Sequence, residues 1–226
     1  MNTFRGKPVR AVLFDMDGLL LDTEPIYTVA TQEVVGRFGK TFDWSIKSQM
    51  IGRQANESAA ILVRALDLPI SPEEYLEQRE VIMASLLADA PGKPGARELV
   101  EHLAAHSVPR AVATSSSRDH FELKTSRHGD WFGLFNAVVT GDDPEVTLGK
   151  PAPDIFLAAA RFLATPPEHC LVFEDAPSGV EAARAAGMAV IAVPDPAMDR
   201  DVFRDADQVL GSLDEFDPSA WGLPGK

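Results

Sequence analysis

The chain has 226 residues, 45% of them hydrophobic, and carries a formal charge of −13 from 21 Lys and Arg against 34 Asp and Glu. That apolar share excludes a disordered chain, and the length supplies one large core or a core plus a smaller domain. The charge argues against nucleic acid and anionic membrane surfaces as partners, because an acidic field repels phosphate polymers, so a phosphate ligand would need local cations.

The polar, basic start gives way to an apolar run ending at Phe14, which is predicted as the first strand over 11–14. Asp15 stops that run too early for a secretion signal or a membrane span. Asp15-Met16-Asp17-Gly18 follows, two carboxylates one residue apart at a strand end. Such a pair is either an ordinary turn exit or a nucleophile beside a proton-handling group.

Residues 26–90 contain helical patterns and no convincing strand, with helices predicted over 26–38, 44–50, 56–66 and 72–87. An all-helical stretch cannot join a parallel sheet, so residues 21–91 are expected to form a separate bundle, joined through linkers at 19–25 and 89–94. Rooted behind Asp17, the bundle would stand over the carboxyl end of the first strand, where open α/β sheets bind ligands, and could act as a lid.

After residue 91 short branched-apolar runs alternate with helical segments, the pattern of a parallel sheet. Strands are predicted at 110–113, 137–140, 171–174, 189–193 and 208–210, with helices at 96–106, 118–128, 154–164 and 178–186, the last closed by Gly187. The fold class is therefore α/β, with a core of 1–20 and 92–226. Cys170, the single cysteine, lies in an apolar run and reads as a core thiol in a reducing, cytoplasmic setting. His102 and His106 have i, i+4 spacing without a metal motif and read as a solvated face.

Four loops at strand ends carry unusual polar residues. The first holds Asp15 and Asp17. Thr114-Ser115-Ser116-Ser117 precedes a helix and reads either as an anion seat or as an N-cap cluster. Lys150 lies in Gly149-Lys150-Pro151, and Glu174-Asp175 ends an apolar strand. Adjacent acids at a strand end repel one another unless a cation lies between them, and oxygen-only ligands favour Mg²⁺ over zinc.

At these four loops the chain resembles the haloacid dehalogenase superfamily, whose signature motifs occur in this order. Within it, Asp15 to Glu24, Lys124-Thr125-Ser126-Arg127-His128, Gly141-Asp142-Asp143-Pro144-Glu145-Val146 and Val172 to Pro177 are similar to the pseudouridine-5'-phosphate phosphatase group. The resemblance implies a Rossmann-like core with helices on both faces, and a C1 helical cap that reads the leaving group. It also implies Mg²⁺-dependent hydrolysis of a small phosphate monoester through an aspartyl-phosphate.

On this reading Asp15 is nucleophile and Asp17 acid then base. Asp15, Asp17 through its main-chain carbonyl, Glu174 and Asp175 form the metal site. Lys150, Thr114 and the amides of Met16 and Ser115 hold phosphoryl oxygens. Glu24 contacts a substrate hydroxyl or caps a helix, and Arg53 selects substrate or is a surface charge. A monomer or weak homodimer acting on a small-molecule ester is expected. The alternatives are a phosphomutase similar to β-phosphoglucomutase and, in another class, a phospho-receiver signalling module.

Overall fold

The computed structural model describes residues 8–50 and 55–225. Six parallel strands, β1 (Ala11–Phe14), β2 (Arg110–Ala113), β3 (Ala137–Val139), β4 (Cys170–Glu174), β5 (Ala189–Ala192) and β6 (Gln208–Val209), lie in the order β3-β2-β1-β4-β5-β6. The sheet grows leftward from β1 through β2 and β3, then rightward from β4, so the topology reverses between β1 and β4. In open α/β sheets ligands bind at such a reversal, beyond the carboxyl ends of the strands.

Alternation of side chains along each strand supplies two separate cores. Val12 and Phe14 of β1, Val112 of β2 and Phe173 of β4 share one face with Leu99 and Leu103 of α5 (Ala96–Ala105). Ala11 and Leu13, with Ala113 and Val172, share the other with Ile155 and Phe156 of α8 (Asp154–Phe162) and Val180 of α9 (Pro177–Ala185). Phe14 stacks on Phe173 at 5.2 Å and meets Phe135 edge-on at 5.8 Å. The carboxyl end of β1 is thereby fixed directly beneath Asp15.

Between β1 and α5 come α1 (Glu24–Gly36), α2 (Trp44–Met50), α3 (Ala55–Leu66) and α4 (Pro72–Leu86). They close their own core around Val34, Val35, Leu62, Tyr75 and Met83. Helix α4 starts with a full capping box, Ser71 accepting from the Glu74 amide while Glu74 accepts from the Ser71 amide, which satisfies two otherwise orphan donors. Contacts with the sheet layer include His120 of α6 (Arg118–Thr125) against Glu80 at 2.6 Å, and Arg127 paired with Asp89.

Helix α1 starts two residues earlier than the predicted boundary, with Pro25 in its first turn, where a missing N–H costs nothing. The predicted 118–128 helix ends at Thr125, and a separate α7 (Gly129–Phe132) follows and buries Trp131 and Phe132. Cys170 is buried and free. His106 is exposed, whereas His102 is half-buried with its Nε2 2.9 Å from the Pro224 carbonyl.

Candidate active site

Asp15 follows β1 directly, and its amide donates to the Phe173 carbonyl at 3.0 Å, so the nucleophile candidate is held by the neighbouring strand. The chain then turns at Gly18, whose φ of 80° is a conformation glycine adopts without strain. A Cβ there would lie 2.2 Å from Asp175 Oδ2, so glycine also lets the β1 and β4 loops approach. Met16 is fully buried, and its carbonyl accepts from Leu20 and Leu21 inside the same turn.

Lys150 reaches across the site from the loop before α8. Its Nζ donates to Asp15 Oδ1 at 2.5 Å, to Glu174 Oε1 at 2.6 Å and to the Ala113 carbonyl at 3.2 Å. Glu174 is 1% exposed, and its other oxygen accepts from the amides of Asp175 and Ala176, both at 2.9 Å. Both Glu174 oxygens are therefore committed. Thr114 is buried beside this group and its hydroxyl accepts from the Ser116 amide at 3.1 Å, while Ser115 is exposed.

Carboxylate oxygens of Asp15, Glu174 and Asp175 lie within 4.8 Å of one another. Burial holds Asp15 up at about 7, opposed by Lys150 and reinforced by the Glu174 charge. Asp175 stands well above the usual carboxylate range through burial and repulsion from Asp15 and Glu174. Buried Asp15 and Glu174 and half-buried Asp175 face one ammonium, so either protons or a cation must balance the remaining negative charge. A divalent cation with a preference for oxygen ligands fits that donor set.

Asp17 has separate partners. Lys124 Nζ donates to its Oδ1 at 2.6 Å and Ser116 Oγ to its Oδ2 at 2.8 Å. Burial pushes the Asp17 carboxyl up, but the adjacent Lys124 ammonium outweighs it and holds the group below the usual range. From sequence Ser116 stood only within the Thr114 to Ser117 run and Lys124 only within a stretch that carried the resemblance, and neither was given a role at Asp17. The available signal was the position of Lys124 three residues after Phe121, on the inward side of a predicted helix.

Asp15, Asp17, Thr114, Ser115, Lys150, Glu174 and Asp175 line one cavity of about 770 Å³. The helical bundle closes its other side with Tyr27, Thr31, Lys47 and Arg79. Glu24 also lines it, in the first turn of α1, with its carboxylate 2.8 Å from Lys47. Arg79 lies over the rings of Tyr27 and Tyr75 at 5.6 and 5.5 Å. Arg53 lies outside the described residues.

Residues 9–187 match the family described as haloacid dehalogenase-like hydrolase. The chain belongs to this family. It is 50% identical over 218 residues to "(DL)-glycerol-3-phosphatase 1, mitochondrial" of Arabidopsis thaliana, covering 94% of this chain and 73% of that one. It is 48% identical over 221 residues to "Probable pseudouridine-5'-phosphatase" of Drosophila melanogaster, covering 96% of each. The crystal structure of a haloacid dehalogenase family hydrolase from Deinococcus radiodurans, with bound phosphate and sodium, superposes with a TM-score of 0.76 at 29% identity, over 92% of this chain and 93% of that one. This haloacid dehalogenase-like hydrolase is a phosphatase. None of its described helices is long and apolar enough to cross a membrane.

Proposed function

We propose that this phosphatase hydrolyses a small phosphate monoester through an aspartyl-phosphate on Asp15, with Mg²⁺ as cofactor and residues 21–91 as a cap over the site. The observation that carries the reading is the meeting of Asp15, Asp17, Lys150 and Asp175 in a single cavity that the helical bundle closes. An Asp15 oxygen attacks phosphorus as the bond to the leaving oxygen breaks. Asp17 gives a proton to the departing alkoxide, and because Lys124 holds the free carboxyl below its usual range, that proton has to be taken up together with the substrate. Asp17 then takes one from the water that attacks the aspartyl-phosphate, a positioned acid–base role worth roughly 10²- to 10⁴-fold.

Asp15, Asp175 and the Asp17 main-chain carbonyl would hold the metal, with Glu174 behind them. Bound there, Mg²⁺ would supply the charge neutralisation that lets a carboxylate approach a phosphate dianion. Lys150, which bridges Asp15 and Glu174, and Thr114 hold the phosphoryl oxygens, with the amides of Met16 and Ser115 as further donors. Glu24 and Arg53 belong to the substrate-selecting side.

Relatives named for glycerol 3-phosphate and for pseudouridine 5'-phosphate stand at nearly equal identity, which supports one of these or a similar small ester as substrate. Phosphate release from a panel holding both compounds and several sugar phosphates tests the reading. Turnover that EDTA abolishes and Mg²⁺ restores is expected. Interconversion of a sugar 1-phosphate and 6-phosphate without phosphate release would replace the phosphatase reading with a mutase. Full activity of Asp15→Asn in a folded protein would remove the nucleophile.

A further inference from the structure

Lys124 is fully buried, yet it makes no contact with the group of acids around Asp15. Its ammonium has three protons, and three acceptors surround it: Asp17 Oδ1 at 2.6 Å, Ser116 Oγ at 2.8 Å and Tyr27 Oη at 3.1 Å. Lys150 meets three acceptors as well, but two of them are Asp15 and Glu174 of the acid group, whereas the carboxylate that Lys124 holds is Asp17.

Ser116 completes the arrangement, since it accepts from Lys124 and donates to Asp17 Oδ2 at 2.8 Å. The two Asp17 oxygens are thus gripped by two side chains that also grip one another, which fixes the plane of the carboxylate. At least one of the carboxylate's four lone pairs stays free to take a proton. The third acceptor, Tyr27, stands on α1 of the helical bundle, whereas Lys124 and Ser116 belong to the sheet layer. The clamp is therefore completed by a residue from the opposite wall of the cavity.

From this geometry we infer that Lys124, with Ser116, is the positioning residue that aims Asp17 at the water hydrolysing the aspartyl-phosphate. The inference rests on the proposed role of Asp17 and extends it. Lys124 touches neither substrate nor water; it acts through the carboxylate. Water attack forms the new P–O bond, its proton passes to Asp17, and the bond from phosphorus to Asp15 breaks and returns that carboxylate. A displacement of about 1 Å in a group of this kind can cost about 10²-fold.

p-Nitrophenyl phosphate isolates this step, because its leaving group departs without a proton donor. Lys124→Met should therefore leave kcat/KM for this substrate within about threefold while kcat and KM fall together, by roughly 10²-fold. Rapid quench should show a burst of about one nitrophenolate per active site as the phosphoenzyme accumulates. Ser116→Ala, which removes the smaller partner, should shift kcat and KM the same way by roughly tenfold, and it keeps the test available if Lys124→Met does not fold. Asp17→Asn is the reference and should give the same burst.

A fall in kcat/KM equal to the fall in kcat, at unchanged KM, would reduce Lys124 to a structural part of the core. Unchanged kinetics in Lys124→Met or Ser116→Ala would equally overturn the inference. If Asp17→Asn itself gives no burst, the proposed role of Asp17 fails instead. The two failures are thus separable.

Discussion

Gly179→Ala tests how tightly Glu174, the first acid of the Glu174-Asp175 pair, is built into the site. Gly179 lies in the first turn of α9, and a Cβ placed on it would stand 1.7 Å from Glu174 Oε1 and 1.9 Å from its carboxyl carbon. Non-bonded carbon and oxygen atoms settle near 3.3 to 3.6 Å, so the carboxylate must retreat by about 1.5 to 2 Å. It cannot do so and keep both the 2.6 Å bond from Lys150 and the 2.9 Å bonds from the amides of Asp175 and Ala176.

Hydrogen bonds to a charged group are worth about 1.5 to 3 kcal/mol each, and disrupting a buried ion pair costs about 3 to 5 kcal/mol. A loss of about 3 to 5 kcal/mol is therefore expected, set against a total of about 5 to 15 kcal/mol for a typical protein. Urea unfolding should show the lowered midpoint. Turnover of p-nitrophenyl phosphate should fall by at least tenfold in the folded variant, because Lys150 loses one of its two carboxylates. Gly129→Ala, where a Cβ meets nothing within 4 Å, is the control and should stay within about 0.5 kcal/mol. Gly179→Ala within about 1 kcal/mol of the parent and fully active would refute the reasoning.

Phe14→Ala removes the ring that stacks on Phe173 and meets Phe135 edge-on beneath Asp15, and should cost about 3 to 5 kcal/mol in urea unfolding. Arg79→Met removes a guanidinium that lines the cavity against two tyrosine rings. For the best monoester of the panel it should raise KM about tenfold or more at similar kcat, since a hydrogen bond from a charged group is worth about 1.5 to 3 kcal/mol. An unchanged KM would exclude Arg79 from substrate contact. Burial pushes the Cys170 thiol up to about 12, so the unfolded chain releases this proton first as pH rises above the thiol's usual 9.0. Folding stability should then decline between those values in the parent, and less steeply in Cys170→Ala, by up to about 1.4 kcal/mol per pH unit. Identical slopes would contradict the burial of the thiol.

Local and periodic features were legible along the chain. Val12 and Phe14 alternate with Ala11 and Leu13, which announces a strand buried on both faces. Asp15-Met16-Asp17-Gly18 announces a chemical loop at its end, because one residue of spacing already forces two carboxylates into the same space. The order of the four loops and the helical stretch behind the first were legible for the same reason. The pairing of Asp17 with Lys124, 107 residues away, was not, since a lysine on a helix reads as a surface charge until packing buries it. Tertiary structure also decided that Lys150 spans Asp15 and Glu174, and that Tyr27 and Arg79 close the cavity from the other side. Contacts of that range depend on how sheet and bundle meet, and no periodicity along the chain encodes that.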